Sequence, residues 1–533
     1  MLSSRPNIND MMNNFKYGID VLHSSTALRL ARGEQKGILS EDTKEAVQRS
    51  AAYVQDIVVS GNTVYGVNTG FGPLCTTIIN ASDTQKLQEN ILKSHAVGVG
   101  NPISPLLSKL MLVLKIHALA KGFSGVQWST MERIRWHIDH NIIPVVPEQG
   151  SVGASGDLAP LAHLFLPLIG LGKVWLNGEI KETTSVLEQH QLAPITLGAK
   201  EGLALINGTQ FMAAHGVMAV AELHNALTNA DLIAALMLEG LNASIKPFFP
   251  ELHALRPHPG NQFVASTIYN LLNSSKIVES HKNCSRVQDP YSLRCIPQVH
   301  GASRQAWLHL KDIVEIEINA VTDNPVIINN ELTISGGSFH GQPIALPMDY
   351  ATFAISEIGN VSDRRIYLSL EGDTPGVPKL LLQSTGLNSG FMILQYTTAS
   401  LASENKGLCF PASADSIPTS LGQEDHVSMG SISGRKLCQI IQNVNRILSI
   451  ELICAAQAFD FHRPLQSTPI IEAIHREIRQ HIPHIEVDQP MEDILSNAQE
   501  MVSSGELVKL ALQVAEERGI PYYGNHVEQF NTF

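Results

Sequence analysis

Charged side chains are scarce in this 533-residue chain: Asp, Glu, Lys and Arg make up 16% of it, while hydrophobic residues reach 44%. So low a charge density predicts apolar surface buried between subunits. The charge that is present has the wrong sign for polyanions. Lys and Arg total 37 against 50 Asp and Glu, a net charge of −13, which argues against a nucleic-acid or anionic-membrane partner. Cysteine is also sparse. The six (Cys75, Cys284, Cys295, Cys409, Cys438 and Cys454) are scattered without C-x-x-C spacing, so neither a zinc ribbon nor a disulfide framework is suggested, and free thiols in a reducing cytoplasm are expected. Long apolar runs are missing too. The most apolar stretch, residues 158–172, is broken by Pro160, His163 and Pro167 and falls short of the roughly 20 residues of a bilayer span. The first eight residues lack the apolar core of a signal peptide, so an intracellular protein is expected. No solenoid repeat and no low-complexity tract is evident. Histidine is plentiful, yet the nearest approach to a ligand cluster, His481, His484 and Glu486, is interrupted by Pro483 and has no second cluster of comparable spacing; no metal site is expected.

Helix signals dominate what is there. Ser104 and Pro105 form an N-cap and first-turn pair, Leu106, Leu107, Leu110, Met111, Leu114 and Ala118 share one face, and Gly122 is a stop signal. Residues 209–241 read as a longer helix, rich in Ala, Leu and Met, without proline and apolar nearly all round, as the centre of a bundle requires. Residues 349–370 and 428–461 read the same way. Strand signals are short: residues 63–67, 173–176, and 326–334 around an Asn329-Asn330 turn. The fold class expected is mainly α, a long-helix bundle body with a smaller, mixed N-terminal domain carrying loops and short strands. The length favours more than one domain. The boundary is placed near residues 120–125, giving an N-terminal domain of 1–122 and a helical domain of 123–533.

The loops carry the polar clusters. Residues 150–160 pack Gly150, Gly153 and Gly156 with Ser151 and Ser155 around Ala154-Ser155-Gly156, without the lysine a phosphate loop would want. Gly156 has no Cβ, so its amide nitrogen can swing toward the Ala154 carbonyl carbon. Loss of water from that adduct, and of a second water from the Ser155 side chain, would leave a five-membered ring bearing an electrophilic methylene. The remaining clusters are Tyr65 in a glycine-rich turn, Ser94-His95, Asn207 before the long helix, Gln288 with Tyr291 and Arg294, Phe339-His340 after two glycines, and Gln423-Glu424-Asp425-His426. Taken singly, each reads as ordinary packing, capping or ion pairing. Arg294 suits a substrate carboxylate about as well as a structural partner.

Their combination and order are far more specific than any member. With Thr322-Asp323-Asn324-Pro325, residues 402–406 and residues 416–420, the chain from Tyr65 to Phe461 resembles the aromatic amino acid ammonia-lyases and aminomutases. That resemblance implies a prosthetic group, 4-methylideneimidazole-5-one (MIO), cyclised from Ala154-Ser155-Gly156, with no metal or nucleotide. It also implies a homotetramer of interlocked bundles with each active site shared between chains. Within the family the chain looks most like the members acting on L-histidine, giving trans-urocanate and ammonia. The deciding residues are His95 and Glu424. Relatives acting on phenylalanine or tyrosine typically carry glutamine at the latter position; a carboxylate accepts a hydrogen bond from an imidazole N–H, but against a phenyl ring it would be buried unpaired, at a cost of about 1–3 kcal/mol or more. The implied roles are Tyr65 as base, Arg294 on the α-carboxylate, and Tyr291, Asn207 and Gln288 positioning the amine and the ring-forming loop. His95 and Glu424 would grip the imidazole, Glu424 would share in proton transfer, and Phe339 would shield the electrophile from water. Ser338 and Gly422 depart from the asparagines usual in the family. Alternatives are a tyrosine or phenylalanine ammonia-lyase, an aminomutase, and a catalytically silent helical scaffold.

Overall fold

A computed structural model describes residues 14–60, 63–74, 76–77, 79–80, 83–282, 287–524 and 528–533. Helices dominate the described residues, and the strands are few and short, as the patterning requires. The chain divides into two compact units: residues 1–218, 311–348 and 411–435 form the first, and residues 219–310, 349–410 and 436–533 the second.

In the first unit, the helix Pro105–Ala120 starts where its cap signal says it should. The Ser104 Oγ accepts from the Leu107 N–H at 3.2 Å, and Pro105 occupies the first turn, where no N–H is needed. Leu110, Met111, Val113, Leu114 and Ile116 are all buried. So are Lys115 and His117 on the same helix, which marks it as carrying more than packing. Lys173–Leu176 pairs antiparallel with Glu179–Glu182, joined by Asn177 and Gly178, both at positive φ as a two-residue hairpin turn demands. A second small hairpin pairs Val326–Ile327 with Thr333–Ile334, and the Asn329 side chain accepts from the Glu331 and Leu332 N–H groups at its turn.

The expected strand over residues 63–67 is a turn instead. Asn68 Oδ1 accepts from the Val64 N–H at 2.9 Å, Val64 O accepts from the Val67 N–H, and Gly66 takes a φ of +70°. This side-chain-closed loop outcompetes strand pairing, as Asn is suited to do.

The long helices fall close to where the apolar patterning puts them: Gln210–Gly240, Gly430–Asp460 and Gln342–Leu370. The last begins earlier than expected and runs through Pro347, which forgoes one intrahelical hydrogen bond near its start. Buried charge in the second unit is paired. Asp231 accepts from His300 Nδ1 at 2.7 Å and from Arg304 Nη2 at 2.5 Å, and Arg365 forks onto Glu451, which also accepts from Ser362. Burial holds the His300 pKa below its ordinary value against the pull of Asp231, so the imidazole is the neutral member of a charge-balanced set.

Candidate active site

The tripeptide Ala154-Ser155-Gly156 lies in the first unit, in a loop tied down on every side. Gly156 has a φ of +72°, and a Cβ there would meet the Gly208 carbonyl oxygen at 2.1 Å, so no other residue fits. The loop is stitched to the segment after Glu424. The Met429 N–H donates to Val152 O at 2.9 Å, Ser428 Oγ to Gly153 O at 3.0 Å, and Ser431 Oγ to Ser151 O at 2.6 Å, while Gly341 N–H reaches Gly153 O at 3.1 Å. Ala154 packs against Val427 and Met429.

Behind the tripeptide stands a buried polar cluster. Asp157 accepts from Ser151 Oγ at 2.9 Å and from the Phe211 and Met212 N–H groups, both at 3.0 Å, at the start of the helix Gln210–Gly240. Its own N–H donates to Gly208 O at 2.7 Å. Burial outweighs these bonds and pushes its pKa up to about 7. Asn207 Nδ2 donates to Ser155 O at 2.9 Å, and Lys115 Nζ donates to Asn207 O at 2.5 Å. Burial brings the Lys115 pKa down to about 7, opposed by Asp323 and Asp157.

Glu424 faces the tripeptide from the other side. Its Oε1 accepts from Ser155 Oγ at 2.5 Å, and its Oε2 from Thr419 Oγ1 at 2.7 Å. His95, at the end of the helix Thr84–His95, has Nδ1 2.9 Å from Ser94 Oγ. Burial lowers the His95 pKa, against the pull of the Ile91 carbonyl and of the Glu424 carboxylate, so both residues belong to one electrostatic neighbourhood. The Tyr65 hydroxyl accepts from the Gly72 N–H at 3.2 Å, and the Gly72–Leu74 turn packs beside the Ser420–Gly422 turn that leads into Glu424. Phe339 is half-buried on the segment ending in Gly341, and its neighbour His340 lies against His426, ring centroids 5.4 Å apart.

Gln288, Tyr291 and Arg294 all belong to the second unit. Arg294 Nε donates to Asp289 O at 3.0 Å, its guanidinium lies 4.5 Å from the Tyr291 ring centroid, and Tyr291 is 71% exposed. Sequence reasoning passed over Asp157, Lys115 and Thr419. Signals for two of them were present: Asp157 directly follows the tripeptide, and Lys115 is a charge inside a largely apolar helix. His481 and His484 turn to different partners, Glu477 and Asp460. Among the described residues, no group of three or more His, Cys, Asp or Glu side chains is placed to hold a metal ion, and no helix is long and apolar enough to cross a membrane.

A sequence-family profile described as aromatic amino acid lyase matches residues 22–480. The chain belongs to the aromatic amino acid lyase family. Among relatives of this lyase, the histidine ammonia-lyase of Myxococcus xanthus is 43% identical over 490 residues, 92% of this chain and 96% of that one. The histidine ammonia-lyase of Geobacillus sp. (strain WCH70) is 47% identical over 464 residues, 87% and 91% of the two chains. Of solved structures, histidine ammonia-lyase from Trypanosoma cruzi superposes on the lyase with a TM-score of 0.87 at 37% identity, covering 94% of this chain and 96% of that one. Tyrosine aminomutase from Streptomyces globisporus reaches 0.89 at 32% identity, covering 94% and 99%. The residues of the lyase suit the prosthetic group implied by the resemblance. Gly156 is pinned where a side chain is impossible, and the buried Asn207, whose Nδ2 holds Ser155 O, keeps an Oδ1 without a partner among the described residues.

Proposed function

We propose that the protein removes ammonia from L-histidine without oxidation, giving trans-urocanate. One proton leaves Cβ, the Cα–N bond breaks, and the electron pair left at Cβ closes the Cα=Cβ double bond. An amine is a poor leaving group and the β-hydrogen is barely acidic. MIO, formed from Ala154-Ser155-Gly156 by loss of two waters, supplies an electrophile that makes the amine easier to expel.

The chain's own residues bind, orient and move protons. Tyr65 takes the β-proton, and the Gly72 N–H donating to its oxygen stabilises the charge that develops there. Asn207 Nδ2 holds the Ser155 carbonyl. Glu424 and His95 grip the imidazole, and Phe339 helps keep water out. Arg294 binds the α-carboxylate, and Tyr291 and Gln288 position the amine. We assign the protein to the cytoplasm, in keeping with the free thiols of Cys295, Cys409 and Cys454.

We further propose a homotetramer in which different copies supply the two sets of site residues. Supporting it, Tyr350, Phe353 and Tyr367 lie exposed along one stripe of the helix Gln342–Leu370, with Ile393 and Tyr396 exposed on the helix Met392–Leu408.

The observation that carries the substrate is Glu424 Oε1 at 2.5 Å from Ser155 Oγ. An acceptor carboxylate beside the tripeptide rewards an imidazole N–H and penalises a phenyl ring. The test is to incubate the purified protein separately with L-histidine, L-tyrosine and L-phenylalanine and follow the near-ultraviolet absorbance of each conjugated acid. Histidine is expected to be turned over fastest, with intact mass lower than the sequence mass by two waters. Tyrosine turnover exceeding histidine turnover would overturn the substrate, and an unmodified mass in active protein would overturn the electrophile.

A further inference from the structure

The two oxygens of Glu424 have different partners. Oε1 accepts from Ser155 Oγ, a hydroxyl that would leave as water if the proposed prosthetic group formed, so this oxygen would then lose its protein partner and become a free acceptor of the site. Oε2 accepts from Thr419 Oγ1 at 2.7 Å, a bond that this chemistry leaves untouched. One oxygen would thereby be released toward the site while the other stays held.

The backbone is built to keep Thr419 opposite Glu424. The two residues form an antiparallel bridge, with the Thr419 N–H donating to Glu424 O at 2.9 Å and the Glu424 N–H to Thr419 O at 3.4 Å. The turn between them puts three successive residues in the left-handed region, Ser420 at φ +50°, Leu421 at +55° and Gly422 at +86°. Ser and Leu adopt that region at a cost, and Leu421, 95% exposed, recovers none of it by packing. Threonine is branched at Cβ and stiff about χ1, so its hydroxyl has a restricted direction.

We propose that Thr419 is a positioning residue for substrate recognition: by holding Oε2 it sets the plane of the Glu424 carboxylate and aims Oε1 at the imidazole N–H of the substrate. The inference rests on the role given to Glu424 above. Without the Thr419 hydroxyl the carboxylate would rotate among several orientations, and binding of the ring would have to select one of them. The hydroxyl never touches the reacting atoms; it acts only through Glu424.

The test is a double-mutant cycle with Thr419→Val, which keeps the shape and removes the hydroxyl, Thr419→Ser, which keeps the hydroxyl, and Glu424→Gln. T419V is expected to lower kcat/KM for L-histidine by about 10-fold or more, and T419S by less than about 3-fold. In the E424Q background T419V should add nothing, because the group it positions is already gone. Intact mass should still show the loss of two waters in every Thr419 variant. Binding is read separately on a Ser155→Ala background, which cannot form the prosthetic group: L-histidine affinity by calorimetry should fall about 10-fold on adding T419V. If T419V does not fold, T419S and Thr419→Ala carry the comparison, the alanine variant standing in for valine. An E424Q variant with undiminished histidine turnover would overturn the Glu424 reading itself. A damaging E424Q, with T419V either harmless in the wild-type background or fully additive in the E424Q background, would overturn the role of Thr419 alone.

Discussion

Asp157 and Lys115 in the first unit are a carboxyl and an amine buried behind the tripeptide, each displaced to about 7 by burial. Their effects on stability run in opposite directions. Asp157 is raised from its ordinary value near 4, so the folded chain binds its proton more tightly, and the stability this confers is lost as pH rises through about 7. Lys115 is lowered, so the stability linked to it is present at high pH and lost as pH falls through about 7. Together they give a minimum near neutrality in their joint contribution. Thermal denaturation across pH 4 to 10 checks this: Asp157→Asn should flatten the acid arm and Lys115→Met the alkaline arm, and identical profiles for wild type and both variants would refute it. The loop residues read as ordinary one by one and stand out in the sequence only by their combination and order, whereas these displaced pKa values leave no trace in it. Displacement depends on burial and on neighbours distant in the chain, and neither is encoded in a spacing.

The hairpin over residues 326–334, which precedes the segment carrying Phe339, shows how an element is anchored at its base. Its base is held by the Asn324 side chain accepting from the Gly336 N–H at 2.8 Å, and by Asp323, whose carboxylate takes Lys200 Nζ at 2.9 Å. Lys200 and Asp323 are both almost fully buried, and Lys200 Nζ also donates to Ser124 O. Removing one partner would leave a buried charge uncompensated, at a cost of about 3–5 kcal/mol, whereas replacing both with apolar groups costs less. Asp323→Ala is therefore expected to lower the denaturation midpoint more than the Lys200→Met/Asp323→Ala pair does. Equal midpoints for the two would show that the ion pair does not hold this base. Element existence was readable here from the Asn329-Asn330 turn, and the long helices from their apolar runs. The strand expected at residues 63–67 was misread because Asn68 closes a local turn, a side-chain choice that alternation cannot reveal.

At the scale of the molecule, Glu424, Asn207 and the tripeptide fall in one unit, and Gln288, Tyr291 and Arg294 in the other. If different copies supply the two sets, variants damaged in each should repair one another. Glu424→Gln and Arg294→Ala are each expected to be nearly inactive alone, and chains of both kinds co-expressed in one cell should recover activity in mixed tetramers. Recovery absent from confirmed mixed oligomers would refute the sharing of sites. The sequence by itself pointed to the reaction class, because the proposed electrophile would be built from three consecutive residues and would need only covalent neighbours. It also determined the helical body, because an apolar helix of thirty or so residues has little choice but burial. Tertiary structure alone decided that Glu424 meets Ser155, across 269 residues of chain, and that Thr419 takes its second oxygen. Loops have no periodicity to read, so where their side chains point is decided by what the rest of the fold packs against them.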